Sequence, residues 1–430
     1  MADQRSESGR PGVSPTIPRR LFSVEALASA GTNLLVTAIY FYTTSRFHWG
    51  LKQNFLLATG QGFFYIGGAL SAHKIAETLK PRRALSAVYI FMATLALSAL
   101  AVRTATALTL ILLVYNFAGS VSWPIIESLV SSGVDAHKLS RRIAAYNLVW
   151  SFVSLVMVAV DGSLIEHWPA GVFLIPAAAH AISSALMLKQ YRGPALVAAD
   201  PGDSRGHFAG DRDTPGDEGP EPELLRVRTL ALWLSRVALP ATYVVIFSLM
   251  ALMPSLPVMK RLDPASQTLL GSAWMLSRWV TFLILGMGTW WHTRPRLLLL
   301  AAVVMLFAFF GVTLRPSDIF ANAAPALDIP SMIVAQFALG AALGVIYSGS
   351  LYFGMALSQG STEHGGYHEA LIGMGFVLGP GVGAIAQVIR PGNVYTGIAA
   401  VGTVVFFSVL AVAVTSIIGG RMENQTIIGG

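Results

Sequence analysis

Residues 189–228 read KQYRGPALVAADPGDSRGHFAGDRDTPGDEGPEPELLRVR, the one internal stretch that departs from the chain's apolar pattern. These forty positions hold five prolines, six glycines and eight of the chain's 22 acidic residues. With no apolar periodicity to bury, such a composition forms a flexible linker. Apolar runs near 20 residues lie on both sides, the length a helix needs to cross about 30 Å of hydrocarbon. Before the linker they fall near 24–44, 55–73, 85–103, 107–131, 143–165 and 170–188. After it they fall near 230–253, 267–290, 297–314, 330–357, 369–389 and 394–418. The chain therefore reads as an all-α integral membrane protein of twelve spans in two six-helix bundles. Its expected parts are a tail at 1–23, a bundle at 24–188, the linker, a bundle at 229–418 and a tail at 419–430.

Composition agrees. Charged residues make up 12% of the chain and apolar ones 54%, with a mean hydropathy of +0.61. A soluble chain of 430 residues would need more polar surface than that. Cysteine is absent, which excludes disulfides, thiolate metal sites and cysteine nucleophiles. The first 20 residues are polar and lack a small-residue cleavage site after a short apolar stretch, so the first span is expected to remain as an anchor. With the N-terminus inside, the inner segments carry 20 Lys and Arg and the outer ones 7, while Arg236 and Arg278 fall within spans. That bias places both termini in the cytoplasm of a cell-membrane protein. It also accounts for the net charge of +7 without a nucleic-acid partner.

Several local motifs carry a family resemblance. The eleventh span has Gly375, Gly379 and Gly383 at i, i+4 and i+8 within LGPGVGA at 378–384, a spacing that lets helix backbones approach closely in lipid. Pro380 removes a backbone donor there and favours a kink. After the second span comes GGALSAHKIAETLKPRR, and after the eighth WWHTRPR. This arrangement resembles the major facilitator superfamily over nearly the whole chain. The match lacks the Asp of that family's loop pattern after the second span. The Gly-Pro motif of its antiporters, normally in the fifth span, is also missing from NLVWSFVSLVMVAVDG. The resemblance implies a central path lined by spans 1, 4, 7 and 10, and alternating access by rocking of the halves.

Polar stripes mark that path independently. Span 1 carries Asn33, Thr37, Tyr40 and Thr44 at i, i+4, i+7 and i+11, and span 4 repeats the spacing with Asn116, Ser120, Trp123 and Glu127. Span 10 has Gln336, Gly340 and Tyr347 on one face, and span 7 offers Arg236 and Tyr243. Polar groups in hydrocarbon are costly unless they face protein or water. Such stripes are expected to turn inward, either to a solute or to one another.

Ionisable residues within the spans are sharper signals. Arg278, between Trp274 and Trp279, needs an anion, carbonyls or water. Asp161 in span 5 is a candidate gate partner, since the resemblance implies that spans 5 and 8 face each other, and an anionic substrate is the alternative. Glu127 is expected either to carry a proton or to pair with Arg141, Arg142 or Arg236. His180 reads as a packing residue. Glu363, His364, His368 and Glu369 surround Gly365 and Gly366, so they read as a hinge with Glu369 capping the eleventh span rather than as a metal site. No cofactor is expected.

The expectation is a transporter, working as a monomer, that moves a small organic solute, with proton coupling resting mainly on Glu127 and Asp161 and with Arg236 and Glu369 as further coupling or gating candidates. A polytopic enzyme is the rival class, and no H-E-x-x-H, G-x-S-x-G or Walker sequence supports it. A non-transporting receptor or scaffold is the third, and it has no need of polar stripes through the midplane.

Overall fold

The computed structural model describes residues 19–132, 136–190, 222–320 and 322–428. The first half comprises α1 (Arg19–Phe47), α2 (Leu51–Leu79), α3 (Pro81–Ala101), α4 (Ala105–Ser131), α5 (Ala136–His167) and α6 (Gly171–Gln190). The second comprises α7 (Pro222–Leu252), α8 (Pro264–Gly271), α9 (Ala273–Gly286), α10 (Arg296–Thr313), α11 (Pro316–Ile319), α12 (Asp328–Leu357), α13 (Thr362–Ile389) and α14 (Val394–Ile428). Twelve helical segments are long and apolar enough to cross a membrane, α8 and α9 together making the eighth. Large apolar side chains such as Phe63, Phe307 and Ile389 stand exposed on outer helix faces, where only lipid would accept them.

Local chemistry sets the helix ends. Pro81 opens α3, a position where its missing N–H costs nothing, and Lys80 before it takes a positive φ of 65° to make the tight α2–α3 link. Arg82 Nε donates to the Met187 carbonyl at 2.5 Å, so the basic end of the GGALSAHKIAETLKPRR stretch ties α3 to α6. Thr104, Asp263 and Ser361 each cap the helix that follows by accepting a backbone N–H.

Several spans differ from their expected bounds. The eighth is broken at Ser272, and it ends at Gly286 rather than 290, because the Trp291 indole caps the Leu285 carbonyl at 3.0 Å. The eleventh begins at Thr362, seven residues early, and runs unbroken through Gly365, Gly366 and Pro380. Helix also continues into both ends of the expected linker, to Gln190 and from Pro222, and the rest of 189–228 lies outside the described residues. At the C-terminus α14 carries helix through 419–428 of the expected tail, while nearly all of the expected tail at 1–23 lies outside the described residues.

Within the first half α1 packs on α5 and α6, α2 on α4, and α3 on α6. Within the second α9 and α10 pack on α12, and α7 on α13 and α14. The halves meet along two seams, α2 with α13 and α5 with α8 and α9. The face where α1 begins and α14 ends is called the terminal face below, and the opposite one the far face.

Candidate functional site

A cavity of about 110 Å³ lies between the halves. Cross-half contacts close both its ends. At the far face Gly162 N donates to Thr268 Oγ1 at 3.1 Å, and Gly162 lies against the Pro264 backbone. At the terminal face Ser128 Oγ donates to the Gly360 carbonyl at 2.8 Å, and Gly365 packs on Pro124. A drug-sized ligand needs about 300 Å³ or more, so this is a contracted, occluded cavity. A larger recess of about 630 Å³ lies between α10 and α12, but its lining is almost wholly apolar and offers nothing to orient a ligand.

Of the ten residues expected to line the path, seven do: Asn33, Thr37, Asn116, Trp123, Tyr243, Arg278 and Tyr347. The other three face their own half. Tyr40 donates to Gln61 Oε1 of α2 at 2.8 Å. Ser120 sits against Gly68 and bonds the Phe117 carbonyl. Gln336 donates to the Leu270 carbonyl at 2.9 Å, satisfying an acceptor freed by the break between α8 and α9. A cavity this small takes up only part of each stripe, and the remaining polar groups bond within their own half.

Arg278 is buried, at 4% exposure, yet makes no ion pair or hydrogen bond among the described residues. Instead two indoles cover its guanidinium, Trp150 of the first half at 4.6 Å and Trp274 of the second at 4.7 Å. The expected pairing with Asp161 is not formed. Asp161 accepts a hydrogen bond from Thr37 of α1 instead.

Nor does Glu369 cap a helix. It lies two turns inside α13, buried, and accepts from Tyr65 of α2. Glu127 does not pair with an arginine. Arg142 donates instead to the Val130 and Ser132 carbonyls at the end of α4, and Arg236, half-buried on α7, forms no ion pair among the described residues. Donor atoms of Glu127, His368 and Glu369 all lie within 4.8 Å of one another. His368 Nδ1 bonds Ser350 at 2.9 Å, while its Nε2 and both Glu127 oxygens are buried without a partner. By geometry alone one imidazole and two carboxyls could hold either shared protons or a divalent cation. The candidate set around Glu363 and His364 is not the one assembled, since Glu363 turns to Tyr367.

Sequence reasoning passed over several residues here. Glu25 of α1 is fully buried with one oxygen bonded to Ser29 at 2.9 Å, and its acidic charge inside an apolar span was signal enough to find it. Tyr65, Tyr146, Trp150, Phe247 and Phe376 also line the cavity, but nothing in the sequence separates them from lipid-facing aromatics. His180 is the packing residue expected, bonded to Tyr115 at 2.7 Å and stacked on Tyr89.

The glycine stripe of α13 serves two partners. Gly375 and Gly379 admit the α7 backbone around Pro240 and Val244, and Gly383 admits the Phe55 ring of α2 across the seam.

A family model described as Major Facilitator Superfamily matches residues 21–380. The solved structures similar to this chain include the nucleoside transporter NupG, at 13% identity and a TM-score of 0.63, covering 94% of this chain and 98% of that one. A single-site mutant of NupG matches at 14% identity and 0.62, covering 94% and 99%. No curated protein matches.

Proposed function

The chain belongs to the major facilitator superfamily and is a multi-pass secondary transporter, and from this premise we propose that it carries a small organic solute by proton-coupled alternating access. The observation that carries the coupling is the cluster of Glu127, His368 and Glu369 at the junction of both halves, without an arginine or lysine in ion-pair range among the described residues. An ionised carboxylate held away from water without a cation costs several kcal/mol. Ionisable groups retained at such cost inside membrane proteins mark substrate or ion paths and proton relays, and paired carboxyls with an imidazole suit the last of these. Glu25, Tyr65 and Tyr347 surround the cluster, and Arg236 stands on its terminal side.

The solute contacts are Asn33, Thr37, Asn116, Trp123, Tyr243, Arg278 and Tyr347. The cavity must enlarge to admit it, by parting of the α4–α13 contacts at one face or the α5–α8 contacts at the other. Thr37 and Asp161 act together at the far-face gate, replacing the direct pair with Arg278. The termini lie in the cytoplasm of the cell membrane, on the Lys and Arg bias, and the monomer is the working unit.

The test is solute-driven proton entry into proteoliposomes loaded with a pH-sensitive dye, across a panel of organic acids, nucleosides and sugars. The wild type acidifies with at least one solute, and Glu127→Gln with Glu369→Gln removes the acidification while solute counterflow persists. Counterflow with no proton movement in the wild type removes the coupling; unchanged acidification in the double variant moves it to other residues.

A further inference from the structure

Arg278 has five N–H donors and, among the described residues, no acceptor for any of them. Indole faces attract the cation but accept no in-plane hydrogen bond, and cation–π contact returns only part of what removing the charge from water costs. The difference leaves a built, unfilled anion position facing the cavity between the halves.

The surroundings narrow what fills it. Among the described residues Arg278 is the only cation in the cavity lining, and Glu369 is the only carboxyl. A second negative charge on the solute would meet no cation and would face Glu369. Beyond the guanidinium the walls are aromatic: Trp123, Tyr146, Trp150, Phe247 and Phe376. We infer that the solute is an organic monocarboxylate with a planar apolar body, its carboxylate held in bidentate fashion by Arg278 and its ring between the aromatic walls. This rests on the transporter reading above and specifies its substrate class.

One guanidinium and one carboxylate neutralise each other, so the loaded cavity moves without net charge once the Glu127–Glu369 cluster holds its protons. Trp150 and Trp274 come from opposite halves, so an anion drawn to Arg278 also acts on the seam that must move. A fork of parallel donors suits a carboxylate in a way that a lysine ammonium does not.

The chain has no cysteine, so two spin labels can be placed cleanly at the far face through Ser163→Cys and Lys260→Cys, both exposed positions. Benzoate is expected to shift the label distances in purified protein, whereas benzamide, phenyl phosphate and uridine leave them unchanged. Arg278→Gln should weaken the benzoate response at least tenfold, with Arg278→Lys retaining part of it as a control for folding. Benzamide or uridine acting as well as benzoate, or Arg278→Gln responding like the wild type, overturns the monocarboxylate assignment while leaving transport standing. Label distances that ignore every solute, together with absent counterflow, overturn both readings.

Discussion

The two seams between the halves are built on opposite principles. Along α2 and α13 glycines recur from end to end: Gly366 against the Ala69 carbonyl, Gly373 against Ile66, Gly62 against Val377 and Gly383 against Phe55. Along α5, α8 and α9 the glycines that meet the other half lie near the ends, Gly162 at the far face and Gly286 at the terminal one, while Gly271 packs on Met253 of its own half. Between them stand aromatics, with Trp150 5.6 Å from Phe282 and 5.3 Å from Tyr347, and Phe152 5.8 Å from Trp279. Where backbones touch, little room is left; where large rings meet, they leave a cavity that can be refilled, to which Tyr65, Glu369 and Phe376 of the first seam also contribute. One seam serves mainly as a bearing and the other mainly as the binding wall.

The largest effect should come from filling the bearing. A Cβ at Gly62 would lie 2.7 Å from the Val377 backbone nitrogen, and backbone cannot yield. Gly62→Val is expected to cost about 3 kcal/mol, near the upper end for overpacking, read as a fall in melting temperature in detergent. If the variant melts like the wild type, the α2–α13 seam is looser than drawn here.

A smaller effect is expected at Gly286, where an added Cβ would meet only the Ala144 methyl group, at 2.7 Å. Gly286→Ala should cost about 1 kcal/mol and open the terminal face, raising the labelling rate of a cysteine introduced at Ser140. Destabilisation without faster labelling would mean that Gly286 matters for packing and not for closure.

At the binding wall the sign reverses. Arg278→Met removes an uncompensated buried charge and keeps an apolar stem, so the unloaded protein should gain about 1 kcal/mol even as its response to solute disappears. A less stable Arg278→Met protein would show that the two indole contacts outweigh the desolvation cost.

The smallest effect concerns His292, in the loop after α9. Its ring stacks on Tyr352 at 4.0 Å, and burial, with the charge of Arg228 adding to it, depresses its pKa to about 4. Between the ordinary histidine value of about 6.5 and that lower one, the unfolded chain binds the proton and the folded chain does not. Stability from this site is therefore complete above pH 6.5 and is lost as pH falls toward 4. His292→Gln should flatten that part of the melting-temperature profile, leaving the far face unaffected. There the hydrogen bond from Arg315, at 2.6 Å, holds the Asp318 carboxyl below its ordinary range.

Much of this was legible before folding was considered. Asn33, Thr37, Asn116, Trp123 and Arg278 could be picked out because polarity within an apolar span is a local signal with a known cost. Glu369 is legible as a proton-coupling or gating carboxyl, but its place inside the helix is not, since Gly365 and Gly366 beside it read as a loop that puts it at a helix end. In the folded protein Pro124 and Ala69 pack into the space those glycines leave, and the helix persists through them. Trp150 could not be found, because an aromatic residue facing a cavity and one facing lipid look alike in sequence.

The number of spans, their grouping into six and six and the excess of basic residues on one side follow from the sequence alone, because each is a sum over neighbouring residues of transfer cost or charge. Which way each helix turns about its axis does not follow, and that rotation decides whether Tyr40 meets Gln61 or the cavity. Partner choice is likewise a matter of the assembled fold. Tyr65 finds Glu369 across 304 residues, and Arg278 takes Trp150 and Trp274 in place of Asp161, because the crossing of distant helices sets which buried groups come within a few ångströms.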